Sequence, residues 1–339
     1  MRKGARVSNV GNLVLKWSYT TSSGVPSSPA VTNGVLYVGS LDGKIYALNA
    51  STGAAIWVYN TGRQVQPSPA VSDGVVYGGS NTRSTYALNA KTGRKRWRTY
   101  TGSATSSPTV SNGVVYVDGE GCEFGNVYAL NAKTGATLWS YNDECLAGHS
   151  SPAVVNGVVY ADADDVFDYV GSVFALDAKT GTQLWNFHIA APVPSSPAVA
   201  NGVVYVGSDD YNVYALNAKT GSKLWSYTTG NFVESSPAVA NGIVYVGSHD
   251  ANVYALDART GAKLWSYTTG NVVSSSPAVA NGVVYVGSDD GNVYALNAKT
   301  GAKLWSFATG GTVRSSPIVT NGMVYVGSDD GKVYAFGLP

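Results

Sequence analysis

Residues 275–310 read SSPAVANGVVYVGSDDGNVYALNAKTGAKLWSFATG, and versions of this stretch fill nearly the whole chain. Four short apolar runs rich in Val, Tyr, Leu and Trp lie within it, a composition that favours strands. The first run is 277–280. Asn281-Gly282 follows, a strong hairpin signal because both turn positions take a positive φ. The second run, 283–286, ends at Asp289-Asp290-Gly291. The third, 293–296, runs into Asn297-Ala298-Lys299-Thr300-Gly301, where glycine can take the left-handed position. The fourth carries Leu304, Trp305 and Phe307.

Two rulers count the copies. Tryptophan stands at Trp17, Trp57, Trp97, Trp139, Trp185, Trp225, Trp265 and Trp305. A Ser-Pro step recurs at Pro29, Pro69, Pro108, Pro152, Pro197, Pro237, Pro277 and Pro317. Both give eight units with a period near 40 residues. Four antiparallel strands per unit of this length define a β-propeller blade, and the absence of helical apolar spacing excludes α-solenoids. The last unit stops after its third run, and the chain begins with an isolated fourth run around Trp17. The N-terminal strand is therefore expected to complete the eighth blade and pair two otherwise open edges. The sequence predicts an all-β, eight-bladed propeller over 13–339, with 1–12 as a leader.

Net charge is +1, which gives no bulk attraction to nucleic acid or anionic membrane. No apolar run reaches the length of about 18 residues that a membrane-spanning helix needs. Residues 1–12 lack the apolar stretch of a signal peptide. A monomer is expected.

The third turn and fourth run repeat as Ala-x-Asn/Asp-x-x-Thr-Gly-x-x-x-Trp, as in Ala47, Asn49, Thr52, Gly53 and Trp57, or Ala215, Asn217, Thr220, Gly221 and Trp225. This resembles the tryptophan-docking motif of the pyrroloquinoline-quinone-type eight-bladed propellers, a family spanning quinoprotein dehydrogenases, outer-membrane barrel-assembly lipoproteins and extracytoplasmic sensor domains. The resemblance covers essentially the whole chain. It implies that each Trp packs between neighbouring blades, as the size and fixed place of the rings also suggest. It further implies an extracytoplasmic location, with any targeting segment outside this chain.

Comparing the copies separates frame from decoration. The turns between first and second runs, and between third and fourth, hardly vary; they share one end of the ring. Variation gathers at the other end. There the residue before each Ser-Pro pair is expected near the axis: Pro26, Gln66, Thr105, His149, Pro194, Glu234, Ser274 and Arg314. A diverse ring on a uniform frame is what a grafted site looks like. Gln66, Thr105, His149, Glu234, Ser274 and Arg314 are the candidate ligand-binding residues.

Two turns on this face are enlarged. In blade 4 residues 161–172 gather Asp162, Asp164, Asp165 and Asp168, an oxygen-rich set that can hold Ca²⁺ or remain a solvated acidic loop. In blade 3 residues 118–126 include Cys122, and Cys145 lies in the connection leaving the same blade. A disulfide is expected there, worth about 2–4 kcal/mol if unstrained; a metal site with His149, or two free thiols, are the alternatives. Aspartates also crowd this face, at Asp42, Asp209, Asp210, Asp250, Asp289, Asp290, Asp329 and Asp330, where their turn preference is a sufficient reason for them.

No nucleophile elbow or phosphate loop occurs. The quinoprotein dehydrogenases, as the resemblance implies, use adjacent cysteines, a Ca²⁺ and a catalytic Asp; Cys122 and Cys145 are not adjacent. A non-catalytic binding or scaffolding propeller for a protein or small ligand is therefore expected, without quinone and with Ca²⁺ as the only ion suggested by the residues. A quinoprotein dehydrogenase is the alternative. Blades 5 and 6 differ at only 8 of 40 positions, so a recently amplified or designed ring with no evolved ligand is a third reading.

Overall fold

The computed structural model describes residues 5–102, 106–119, 127–142, 150–165 and 169–339. Eight four-stranded antiparallel sheets form the blades, in the strand order expected. In blade 6, for example, the strands are Ala238–Ala240, Ile243–Gly247, Asn252–Asp257 and Lys263–Thr268. The second and third strands are buried almost throughout, being covered by the neighbouring blade on each side, while the outer strands alternate exposed and half-buried residues. The Asn-Gly turns adopt the expected conformation, with φ of 52° at Asn281 and 79° at Gly282.

The first strand of each blade lines the axis. There the second serine of each Ser-Pro pair joins its neighbour. The Ser28 N–H donates to Ser68 Oγ, Ser68 to Ser107, Ser107 to Ser151, and Ser151 to Ser196, each at 2.9 Å. The series continues through Ser236, Ser276 and Ser316 at 3.0 Å. Ser316 then donates to Ser28 Oγ at 2.8 Å, so the belt closes on itself.

The ring is also closed at its rim. Val14–Thr20 pairs antiparallel with Lys332–Gly337, placing Trp17 opposite Ala335. The segment ahead of this strand packs on blades 7 and 8: Ala5, Val10 and Leu13 are buried against Tyr285, Val324 and Phe336. Asn281 Nδ2 donates to the Ala5 carbonyl at 3.1 Å.

Each indole reaches the next blade. Trp225 Nε1 donates to the Ala258 carbonyl at 3.1 Å and Trp265 Nε1 to the Ala298 carbonyl at 3.0 Å. The docking glycine serves two purposes. At Gly261 φ is +73°, and a Cβ there would lie 2.7 Å from the Trp225 ring. A side chain is thus disfavoured by both backbone and neighbour.

One expectation is corrected. Most of the segment read as an enlarged blade 4 turn is a hairpin, with strands Val158–Asp165 and Val170–Asp177 and Asp162, Ala163, Asp164 and Asp165 facing Val173, Ser172, Gly171 and Val170. Small alanines alternate with the aspartates, so the strand continues between neighbouring blades instead of looping into water. Asp162 and Asp164 are 0% and 1% exposed, which rules out a solvated loop for these two.

Candidate functional site

The site is built from two rings of positions on one face. The first consists of the residues before the serine belt. The second is the residue after the Gly-Ser step at the end of each second strand: Leu41, Asn81, Asp209, His249, Asp289 and Asp329 in the six regular blades. Backbone bonds fix this second ring. The N–H groups of Asp209, His249, Asp289 and Asp329 donate to the carbonyls of Pro192, Phe232, Val272 and Thr312, each at 2.9 Å. Their side chains are thereby held beside the connections that carry the first ring.

Over blades 5 to 8 the two rings interleave into a polar arc. Glu234 Oε2 lies 3.0 Å from His249 Nε2. The same ring nitrogen lies 3.0 Å from Ser274 Oγ. Arg314 grips Asp289, with Nε 3.2 Å and Nη2 3.0 Å from its carboxylate oxygens. Thr312 Oγ1 donates to Asp329 Oδ2 at 2.6 Å. Asp209 has one carboxylate oxygen buried without a hydrogen-bond partner.

The charges sense one another along the arc. The hydrogen bond from His249 holds Glu234 below the usual carboxylate range, against the effect of burial. The same bond raises His249, assisted by the charges of Glu234, Asp209 and Asp289. Burial, with the charges of Glu234 and Asp164, lifts Asp209 to about 6. Four carboxylates thus share the arc with one guanidinium and one imidazole. The corresponding positions in blades 1 and 2, Pro26, Leu41, Gln66 and Asn81, carry no charge. The face is electrostatically lopsided.

The aspartates anticipated on this face fall into two sets. Asp42, Asp210, Asp250, Asp290 and Asp330 brace their own turns: each accepts the hydroxyl of a tyrosine four residues on, as Tyr254 does at 2.6 Å and Tyr46 at 2.5 Å. Asp250 also accepts the Gly230 N–H at 2.7 Å. Only the residue preceding them belongs to the arc. That position varies between copies (Leu, Asn, Asp, His), which is the signal that marks it.

Of the expected binding residues, Glu234, Ser274 and Arg314 are brought together, and His249, Asp209 and Asp289 join them. Gln66 is exposed in the uncharged sector. Thr105 and His149 lie outside the described residues, as do Cys122, Cys145 and Asp168. Asp162 and Asp164 share a strand face, with Asp164 Oδ1 accepting the Val193 N–H at 2.7 Å. Asp165 stands in the same strand.

The arc is suited to binding. A serine nucleophile relay runs through both nitrogens of its histidine. Here Nε2 alone meets both Ser274 and Glu234, so Ser274 is not set up as a nucleophile.

Fold and repeat define a class, the eight-bladed propellers of the pyrroloquinoline-quinone repeat type. Within that class, the family model described as outer membrane protein assembly factor BamB matches residues 10–68, 59–167, 169–272 and 249–337, and the chain belongs to this family. No curated protein sequence gives a significant match. Among solved structures, BamB from Moraxella catarrhalis is 21% identical and superimposes with a TM-score of 0.81 over 96% of this chain and 99% of that one. The computationally designed Ika8 protein is 18% identical, with a TM-score of 0.82 over 94% and 97% of the two chains. Quinohemoprotein alcohol dehydrogenase ADHIIG from Pseudomonas putida HK5 is 19% identical, with a TM-score of 0.83 over 99% of this chain and 78% of that one. At these identities the likeness speaks for the fold.

Proposed function

We propose that the protein is a non-catalytic binding propeller that captures a cationic segment of a partner protein on the arc of blades 5 to 8. The observation that supports this most directly lies inside the repeat. Arg314 seats its guanidinium on Asp289, 25 residues earlier. The same offset from Asp209 leads to Glu234, a second carboxylate. Blade 5 therefore offers the guanidinium-binding half of that pair without an internal cation. A lysine or arginine from a partner would relieve the repulsion from Glu234 that adds to burial in raising Asp209. The family's description as an assembly factor is in keeping with a protein partner. An extracytoplasmic location is part of the same reading. Among the described residues no helix is long and apolar enough to cross a membrane.

The test is titration with a fluorescent peptide rich in Lys and Arg, with an acidic peptide of equal length as control. Binding of the basic peptide should weaken about tenfold in a Glu234→Gln, Asp209→Asn double variant, the loss of roughly 1.4 kcal/mol expected of one charge-assisted contact. It should also weaken with added salt. Equal binding of both peptides, or no effect of the double variant, would overturn the assignment. So would alcohol-dependent dye reduction after addition of pyrroloquinoline quinone and Ca²⁺, which would make the protein an enzyme.

A further inference from the structure

Six of the eight second strands carry glycine at one register position: Gly39, Gly79, Gly207, Gly247, Gly287 and Gly327. The reason is contact. A Cβ placed on Gly39 would lie 2.3 Å from Val65 Cγ1 in the connection leaving that blade. Gly207 stands in the same relation to Val233, Gly247 to Val273, Gly287 to Val313 and Gly327 to Val25. In blades 3 and 4, which are adjacent, the position is aspartate instead: Asp118 and Asp162. Both are in strand and buried, at 1% and 0% exposure.

Two features bring these carboxylates toward one place. In the regular blades a Cβ at this position meets the valine two residues ahead of the next blade's first serine, Val233 before Ser235, Val273 before Ser275 and Val313 before Ser315, and in blade 3 that direction leads toward Ser150. In blade 4 Val193 is retained and buried, and one oxygen of Asp162 accepts the Ser150 hydroxyl. Ser150 begins the serine pair of blade 4. Its counterpart Ser106 accepts the Asp118 N–H at 2.8 Å. Asp162 thus meets Ser150 directly, and the repeat directs Asp118 toward the same serine from the neighbouring blade.

Asp118 is in an unusual state. Neither of its carboxylate oxygens has a hydrogen-bond partner, and both are buried. Buried polar groups are almost always satisfied, and a buried carboxylate without a partner points to a missing ion or proton. Burial accordingly holds its carboxyl well above the usual range.

We infer that Asp118 and Asp162, with the hydroxyl of Ser150 between them, form a site for a divalent cation of the Ca²⁺ type, locked between blades 3 and 4. Hard oxygen donors of this kind are the ligands such ions take. The site is separate from the peptide-binding arc and does not depend on that assignment. It also differs from the four-aspartate set of the blade 4 hairpin, because Asp118 comes from the adjoining blade and supplies the carboxylate that has no partner of its own.

The experiment uses the intact chain, stripped of metal with a chelator. Ca²⁺ should raise the melting temperature by a few degrees at a hundredfold excess over its dissociation constant. Calorimetric titration should give one site. Asp118→Asn, which keeps the shape and removes the charge, should abolish both effects, and Asp162→Asn should abolish or severely weaken them. A Ca²⁺ response undiminished in Asp118→Asn would overturn the site. So would the absence of any Ca²⁺ response in the wild-type chain. In that case a higher melting temperature of Asp118→Asn at neutral pH would show that the pair shares a proton instead. The double variant of the arc, Glu234→Gln with Asp209→Asn, should retain the full Ca²⁺ response, which separates the two tests.

Discussion

Trp305 donates its indole N–H to the carbonyl of Leu13 at 3.0 Å, whereas the other seven tryptophans donate to an alanine in the third turn of the next blade. The eighth blade has no such turn, and the N-terminal segment takes its place. The substitution leaves a mark on the neighbouring tyrosine. Tyr37, Tyr77, Tyr116, Tyr160, Tyr205, Tyr245 and Tyr325 each donate a hydroxyl to the alanine that accepts an indole. Tyr285, their counterpart at the closure, is buried with no partner for its hydroxyl, and burial pushes it up to about 12.

This asymmetry predicts opposite outcomes for one chemical change. Tyr245→Phe removes a made hydrogen bond and should cost about 1 kcal/mol. Tyr285→Phe removes an unsatisfied buried hydroxyl and should be neutral or stabilising by up to about 1 kcal/mol. Denaturant unfolding of the two variants provides the comparison. A larger loss for Tyr285→Phe would mean that its hydroxyl has a partner in solution.

Most of the frame could be read from the chain because each blade repeats the same local chemistry. Asn281-Gly282 specifies its turn, Trp225 and Gly261 mark the docking contact, and the unpaired run around Trp17 announces the closure. The serine belt was only half legible. Ser28 and Ser316 meet across 288 residues, and nothing local to either announces the bond. The available signal was that the second serine recurs in every copy while the first is replaced by Pro67 in blade 2. On the acidic face turn preference accounts for Asp290 but not for its role-bearing neighbour Asp289, and the two look alike as letters. Only the tyrosine four residues on, Tyr294, marks Asp290 as a brace. Asp118 reads in sequence as the start of an enlarged turn, whereas its pairing with Val127 puts it at the register that holds Gly39 in blade 1.

The docking contact can be separated from the backbone requirement of its glycine. Gly242 and Gly261 have φ of +76° and +73°, but a Cβ on Gly242 meets nothing within 4 Å, while on Gly261 it meets Trp225. Gly242→Ala should cost about 1 kcal/mol, the left-handed penalty alone. Gly261→Ala should cost at least about 2 kcal/mol more, because the indole must move. Trp225→Ala should cost about 3–5 kcal/mol as a large truncation. Thermal melts of the three variants decide the matter, and equal losses for the two glycines would remove the indole from the argument.

The arc predicts the pH dependence of stability. Asp209 has a folded value near 6, above its usual 3.8. A carboxyl raised in the folded state stabilises below its unfolded value, and this contribution is lost as pH rises through the folded one. His249, also raised, loses its contribution as pH climbs past the usual 6.5. Both effects have the same sign, so melting temperature should fall between pH 5 and pH 8. Asp209→Asn should flatten the lower part of that slope and be the more stable chain at pH 8. The gain should be on the order of 1 kcal/mol, since the half-exposed site is screened by solvent. A wild-type profile that rises over this interval would contradict the arrangement.

The last prediction separates the belt from the arc, two sets of residues that adjoin in sequence. Ser236 Oγ accepts the Ser196 N–H at 3.0 Å around the axis. Ser236→Ala leaves that amide unpaired in a half-buried place and should cost about 1–3 kcal/mol. Arg314→Ala breaks an exposed ion pair with Asp289 and should cost no more than about 1 kcal/mol. The order reverses for binding. Ser236→Ala should leave affinity for a basic peptide unchanged, whereas Arg314→Ala frees Asp289 and should strengthen it several-fold. Melting curves and peptide titrations on the same two proteins test both halves. A weaker grip on the basic peptide in Arg314→Ala would contradict the assignment, because freeing the Asp289 carboxylate should favour a cationic ligand.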